Sequence, residues 1–317
     1  MVTQSAVTFV LSAAIAAAAG VVSAQEFPSK PIGIITSAVG GNSDFDARQI
    51  AQEIAGPLGQ PVIVDNRTAI SSAESVAKAP PDGYSLLLAG GTLWITPLLQ
   101  KTPYDVAEFS SITLIESQVN IVVVHPSLPV KSVKELIALA KSRPGELNYG
   151  SGSTGGSTHL GVELFKSMAG VNMVRVAYKG SGPVIPALIG GEVQLTFMDV
   201  GTVLPNMKSG KLRALAVTSA ERSALVPGLP TVAASGLPGF EAIGLSGIFA
   251  PLKTPAAIIN RLNQEIVRAL NRADVKERFL NFGEEIVASS PEHLAATVKS
   301  GIAKWGKLIR VAGVKVD

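Results

Sequence analysis

Two glycine-rich turns, each set between a strand-like run and a helix-like run, constrain this chain more than any other feature. The first spans Thr36 to Asp44 (TSAVGGNSD) and follows the apolar run Ile32 to Ile35. The second spans Gly150 to Thr158 (GSGSTGGST) and follows Leu147-Asn148-Tyr149. Each leads directly into an amphipathic segment. Glycine lets the backbone approach a ligand closely, and the unpaired N–H groups of a helix's first turn attract an anion. Two such turns, more than a hundred residues apart, point to a small anionic ligand held between two lobes.

The surrounding pattern is one of alternating strands and helices. Strands are expected at Ile32–Ile35, Val62–Val64, Ser85–Ala89, Ile112–Ile115 and Ile121–Val124, and later at Val171–Tyr178, Val193–Met198, Leu212–Thr218 and Gly247–Ala250. Asn42 or Ser43 is placed to cap a helix running to about Ala55, with Asp44 and Asp46 in its first turn. Further helices are expected at Ser132–Lys141, Ser157–Met168, from Pro183, up to Ser209, at Pro255–Asn271 and at Pro291–Val311. Alternation of this kind implies an α/β protein with mainly parallel sheets, whose ligands bind outside the carboxyl ends of the strands. The glycine turns sit at such ends, as does Gly90-Gly91-Thr92.

Length and composition agree. A chain of 317 residues favours two domains. Charged residues make up 16%, below the usual share of about a quarter, which suits sheets buried on both faces. Lysine and arginine number 27 against 24 acidic residues, with no basic tract, and aromatic residues are 5%, so a nucleic-acid partner is not indicated. There are no cysteines, which excludes disulfides, thiolate metal sites and cysteine nucleophiles. Residues 1–24 read as a removable secretory signal: they carry no charge, Ala6 to Val22 is apolar, and Val22-Ser23-Ala24 resembles a cleavage site. A membrane anchor is the competing reading, and the run is at the short end for one. The mature chain, from about Gln25, is then expected to be soluble outside the cytoplasm. Its lobes are expected to comprise residues 25–123 with 245–317, and residues 124–244. The crossings fall near Val122–Val124 and Leu245–Phe249.

Catalytic chemistry is poorly supplied. No G-x-S-x-G elbow occurs, and His125, His159 and His293 lie far apart. His159, beside the second turn, reads as helix packing. The acidic pairs Asp44/Asp46 and Glu284-Glu285 read as solvated helix faces, and no metal-ligand cluster stands out. Gly150 to Gly155 matches G-x-G-x-x-G, yet a dinucleotide site needs an acidic residue at the end of the next strand. That strand ends instead at Tyr178-Lys179-Gly180, which suits an anion. The second turn therefore reads as a carboxylate cradle, with Lys179 either facing it or solvated. Asp199 is either a helix cap or an acceptor for an amino or amide group. No cofactor is implied.

Several of these residues resemble a known family. Pro28-Ser29-Lys30-Pro31-Ile32, Gly40-Gly41 with Ser43-Asp44 and Ala47-Arg48, and Leu58-Gly59-Gln60-Pro61-Val62 are among its hallmarks. So are Asp65-Asn66-Arg67, Pro81-Asp82-Gly83-Tyr84, Pro103-Tyr104-Asp105, Tyr178-Lys179-Gly180 and the runs GKLRALAVTS, LPTV and GLPGFE. From about Phe27 to Asp317 the chain is similar to the Bug receptors, the TctC-like solute-binding proteins of tripartite tricarboxylate transporters. That resemblance implies a two-lobed periplasmic binding protein of the Venus-flytrap, type II-like form, monomeric and without catalytic activity, which delivers a small organic acid to membrane transporter subunits. Carried onto this chain, the ligand site comprises Val39, Gly40, Gly41, Asn42 and Ser43, then Gly91 and Thr92. From the second lobe come Ser151, Ser153, Thr154, Gly155, Ser157, Lys179 and Gly180, with Asp199 beside them. Thr36-Ser37-Ala38-Val39 stands where the family carries a proline-rich lead, Thr68 to Ser72 replaces a glycine-rich stretch, and Asp199 falls one residue beyond a common aspartate. A periplasmic sensor, a receptor for a neutral amide and a secreted enzyme on the same scaffold are the alternatives.

Overall fold

A computed structural model describes residues 27–37, 39–152, 154–178 and 182–314. The expected signal over 1–24, and Ser153, Lys179 and Gly180, lie outside the described residues.

The first part of the chain runs β1 (Ile32–Thr36), α1 (Asn42–Leu58), β2 (Val62–Asn66), α2 (Ala69–Ala77), β3 (Ser85–Gly90), α3 (Thr92–Leu99) and β4 (Phe109–Gln118). The middle runs β5 (Asn120–Val124), α4 (Val133–Ser142), β6 (Asn148–Ser151), α5 (Ser157–Ala169), β7 (Val174–Ala177), α6 (Val184–Ile189), β8 (Leu195–Asp199), α7 (Val200–Lys208) and β9 (Arg213–Val217). The last part runs β10 (Gly244–Pro251), α8 (Ala256–Leu270), α9 (Ala273–Phe282), β11 (Glu284–Ile286) and α10 (Pro291–Ala312).

These elements build two sheets. One has the order β11-β4-β10-β3-β1-β2, the other β7-β6-β8-β5-β9. Both are mixed rather than mainly parallel. In the first sheet β1 runs parallel to β2 and β3, while β10 is antiparallel to β3 and β4, and β11 to β4. In the second, β6 runs parallel to β7 and β8, while β5 is antiparallel to β8 and β9. The physical reason lies in the crossings. Only Val119 separates β4 from β5, so no crossover helix compels β5 to run parallel with its neighbours. β5 lies wholly in the second sheet, which places the first crossing at Val119 and not at Val122–Val124. The return enters β10 at Gly244.

Burial explains why these runs form these elements. Leu86, Leu87 and Leu88 of β3 are all buried, as is every residue of β5, because helices cover both faces of each sheet. In α8, Ile259, Leu262, Ile266 and Ala269 recur at three- and four-residue spacing and meet α1 on the outer face of the first sheet. A larger core joins Leu93 and Trp94 of α3, Leu160 and Phe165 of α5, and Trp305 and Leu308 of α10. α10 thus packs against elements of both sheets.

Four of these elements were not foreseen, the first being α3, where only the turn Gly90-Gly91-Thr92 was expected. α2 is serine-rich and hides only Ser72, Ala73 and Val76; Thr68 caps it by accepting from Ser71 N–H at 3.3 Å. α9 follows α8 after Asn271 and Arg272 alone, with no proline or glycine to mark the break. β11 is a three-residue edge strand.

Candidate functional site

The first turn takes its shape from one left-handed residue, Gly40, with φ 83°. Gly41 follows as the N-cap of α1 in ordinary extended geometry, and no side chain caps the helix, so neither Asn42 nor Ser43 does so. The second turn repeats this arrangement. Gly155 has φ 81°, and Gly156 is the extended N-cap of α5, again without a side-chain cap. In each, the residue four places beyond the left-handed glycine closes the loop. Asp44 Oδ2 accepts from Gly40 N–H at 3.0 Å, and His159 Nδ1 accepts from Gly155 N–H at 3.1 Å. His159 is therefore a buried structural acceptor whose Nδ1 carries no proton in this arrangement. Leaving both helix caps without a side chain keeps their first N–H groups available to another partner.

Each turn is braced from behind. Asp44 also accepts from Asn66 at 3.0 Å and pairs with Arg48 at 2.9 Å. Burial acts to raise the Asp44 carboxyl, and the hydrogen bonds from Arg48, Gly40 and Asn66 outweigh it, leaving it below the usual carboxylate range. In the second turn Arg175 of β7 donates to Ser151 Oγ at 2.8 Å, Thr154 Oγ1 at 2.9 Å and the Gly152 carbonyl at 3.0 Å. Ser151 is fully buried. These two side chains serve the scaffold.

A cavity of about 340 Å³ opens between the two turns, at the carboxyl ends of β1 and β3 and beside the turn after β6. It is lined by Asn42 and Ser43 of α1, Gly91 and Thr92 at the start of α3, and Gly155, Gly156, Ser157 and Thr158 at the start of α5. Three helix N-termini therefore reach one space. No charged side chain lines it among the described residues; the polar lining is serine, threonine, Asn42, Gln118, Tyr104 and the indoles. The two lobes touch beside it: a side chain on Gly155 would stand 2.7 Å from Leu99 of α3.

The expected site residues divide accordingly. Asn42, Ser43, Gly91, Thr92, Gly155 and Ser157 line the cavity. Val39, 72% exposed, does not, nor do Gly40, Gly41, Ser151, Thr154 or Asp199. Asp199 is the N-cap of α7, accepting from Thr202 N–H at 2.8 Å. Removing that acceptor in Asp199→Ala is expected to cost about 0.5–2 kcal/mol of stability in urea unfolding, and Asp199→Asn clearly less. Sequence reasoning missed Trp94, Gln118, Ser246 and Trp305. Trp94 and Gln118 had weak signals, an aromatic just inside the Gly91-Thr92 turn and a polar residue ending a strand. Trp305 comes from a helix two hundred residues away and had none.

One reading is overturned outright. Asp46 and Glu284 are not on solvated faces: Asp46 is fully buried, Glu284 is 1% exposed, and both meet the buried Glu116 of β4. Asn42 and Gln118, in the cavity wall, each donate to Glu284 Oε1, at 2.8 and 3.1 Å.

Residues 46–314 match the family model for the tripartite tricarboxylate transporter family receptor. The chain belongs to that family. It is 34% identical to protein BugT of Bordetella pertussis, covering 97% of this chain and 96% of that one. An R. palustris protein solved with adipate is 34% identical, with a TM-score of 0.81 over 92% of this chain and all of that one. MatC of Rhodopseudomonas palustris, solved with bound malate, is 28% identical, with a TM-score of 0.75 over 89% of this chain and all of that one. The receptor thus shares the fold of periplasmic solute-binding proteins. No helix among the described residues is long and apolar enough to cross a membrane.

Proposed function

We propose that this receptor captures a small organic acid in the cavity between its two turns and delivers it to the membrane subunits of a tripartite transporter. The observation that carries this reading is the convergence of three helix N-termini on a space lined by neutral groups. Each N-terminus carries a partial positive charge, worth about 0.3–1 kcal/mol to an anion at an exposed site and more when buried. Unlike a lysine, such a donor needs no counter-ion in the empty cleft. The volume suits a metabolite, lying at the small end of ligand pockets. Adipate and malate in the two R. palustris relatives are dicarboxylates of that size.

The chain acts as a binding protein without turnover, exported by removal of residues 1–24, and works as a monomer. Residues 25–119 with 244–317 form one lobe and 120–243 the other, closing on the ligand as a hinge does. A neutral amide was the competing ligand class, resting on Asp199 as an acceptor. That carboxylate caps α7 and stands outside the cavity lining, so the amide reading loses that acceptor and keeps only the neighbouring backbone groups.

Thermal unfolding of the mature chain against dicarboxylates, tricarboxylates, amino acids and neutral amides tests the proposal. A ligand at one hundred times its Kd adds about 2.7 kcal/mol, equivalent to roughly 4 °C in the midpoint for a chain of this length. A rise confined to carboxylates is the expected result. A rise confined to amides, or none with any acid, would overturn it.

A further inference from the structure

Behind the wall formed by Asn42, Gln118 and Ser246 lies a group of side chains that ligand capture as described does not use. Asp46 of α1, Glu116 of β4 and Glu284 of β11 have carboxyl oxygens within 4.8 Å of one another. The first two are fully buried and the third is 1% exposed. Ser246 of β10 is the hydroxyl beside Asp46 and Glu116. The cluster sits where the chain leaves the first sheet: Glu116 and Gln118 end β4, Ser246 lies near the start of β10, and β11 pairs with that same end of β4.

No cation balances these groups among the ion pairs of the described residues. On α1, Arg48 closes on Asp44. On α8, Arg261 and Arg268 close on Glu265. On α9, Arg272 and Arg278 close on Glu53 and Asp274. β10 brings only Ser246, and the neighbour from the other lobe is Asp199, whose charge has the same sign. Glu285, next along β11, is engaged by Ser223 at 2.6 Å. Three like charges in dry space without a partner would repel one another by several kcal/mol. As carboxylates, Asp46 and Glu116 find no donor but the Ser246 hydroxyl, which has a single proton for the two of them. As acids they donate to one another and to their neighbours, and both difficulties vanish. Burial, and then the adjoining carboxyls, pushes Asp46 and Glu116 well above the usual range. Burial likewise raises Glu284, to about 7.

We propose that the trio of Asp46, Glu116 and Glu284 is a proton store at the hinge, and that capture of a carboxylate is coupled to proton uptake there. The coupling rests on the carboxylate reading above and on a direct connection. Asn42 and Gln118 line the cavity and donate to Glu284. An ionised Glu284 holds those amides tightly and sets negative charge behind them. A neutral Glu284 does neither, so the anion and the proton favour each other, and by reciprocity binding draws a proton from the buffer.

The sign is fixed by the raised values. The folded state keeps protons that the unfolded chain releases near pH 4 to 4.5. Stability is therefore full below that range and falls as pH rises through about 7, where Glu284 titrates. The first measurement is the melting temperature of the ligand-free mature chain between about pH 5 and pH 8, compared with Glu284→Gln and with the double variant Glu116→Gln/Glu284→Gln. These near-isosteric amides imitate the protonated acid. A falling midpoint in the native chain, flattened in either variant, is expected. A level native profile overturns the proton store, and so does a slope removed by calcium or magnesium, which would make the trio a cation site. The second measurement is titration with adipate and malate near pH 6 and pH 8 at one ionic strength. Affinity should be about tenfold weaker at the higher pH in the native chain and unchanged in the double variant. pH dependence that survives in the double variant belongs elsewhere, His159 included, and overturns the coupling. If neither acid binds at any pH, the carboxylate reading and the coupling fall together, while the first measurement still decides whether the trio holds protons.

Discussion

Replacing Ser157 with aspartate is expected to abolish capture of a carboxylate while leaving the fold intact or slightly more stable. Ser157 is the first helical residue of α5 and lines the cavity, and the N-cap before it, Gly156, supplies no side chain. A carboxylate there meets the positive end of the helix, which stabilises α5 by about 0.3–1 kcal/mol. The same charge stands within about 5 Å of an anion in the cavity, where repulsion at an effective dielectric constant near 20 is about 3 kcal/mol, a loss of a hundredfold or more. Folding and binding are thus driven in opposite directions by one substitution. Calorimetric titration with adipate and malate, set beside the melting temperature, reads both. Ser157→Asn, similar in size and neutral, should bind. If the aspartate variant binds acids as the native chain does, the ligand does not rest on α5.

The second large effect is one of stability. Phe197 of β8 is fully buried between two other rings, with centroids 5.6 Å from Phe165 and 6.3 Å from Phe240 and interplanar angles of 77° and 74°. Phe165 and Phe240 also meet edge to face, so three rings share one contact. Phe197→Ala should cost about 3–5 kcal/mol in urea unfolding, because removing a ring whose neighbours hold each other leaves a cavity that cannot collapse. Phe240 belongs to the segment that returns to β10, so loosening of the second lobe should reach the hinge. A cost below about 1.5 kcal/mol would show that the cluster repacks freely.

The parts of this molecule that were legible in sequence are those governed by local rules. Both glycine turns, the helices they open and the strands they end follow from spacing and backbone freedom, and Asn42, Ser43, Gly91, Thr92, Gly155 and Ser157, expected from the resemblance, line the cavity between them. What escaped depended on the third dimension. Asp46 sits two residues from Asp44, and nothing local separates the one that is braced by Arg48 from the one that turns inward to Glu116 and Glu284. Ser151 and Thr154 have the composition of an anion cradle, yet Arg175, on the neighbouring strand, takes both hydroxyls. Direction in the sheets was misjudged for a related reason. Alternation of strand and helix predicts parallel pairing, and β5 and β10, which no helix directly precedes, run backwards, as does the short edge strand β11.

The position of β10 between β3 and β4 bears on the order in which the chain can fold. The second sheet is encoded without interruption, from Asn120 to Val217, and is complete as soon as that stretch exists. The first sheet lacks its middle until Pro251 has been made, and until then β3 and β4 face one another as open edges with unsatisfied backbone groups. Its outer face waits longer, for α8, and its contact with α3 and α5 longer still, for α10. Pairing across such separations is slow to form. The first hundred residues to emerge are among the last to settle, so the chain stays threadable until its final quarter arrives.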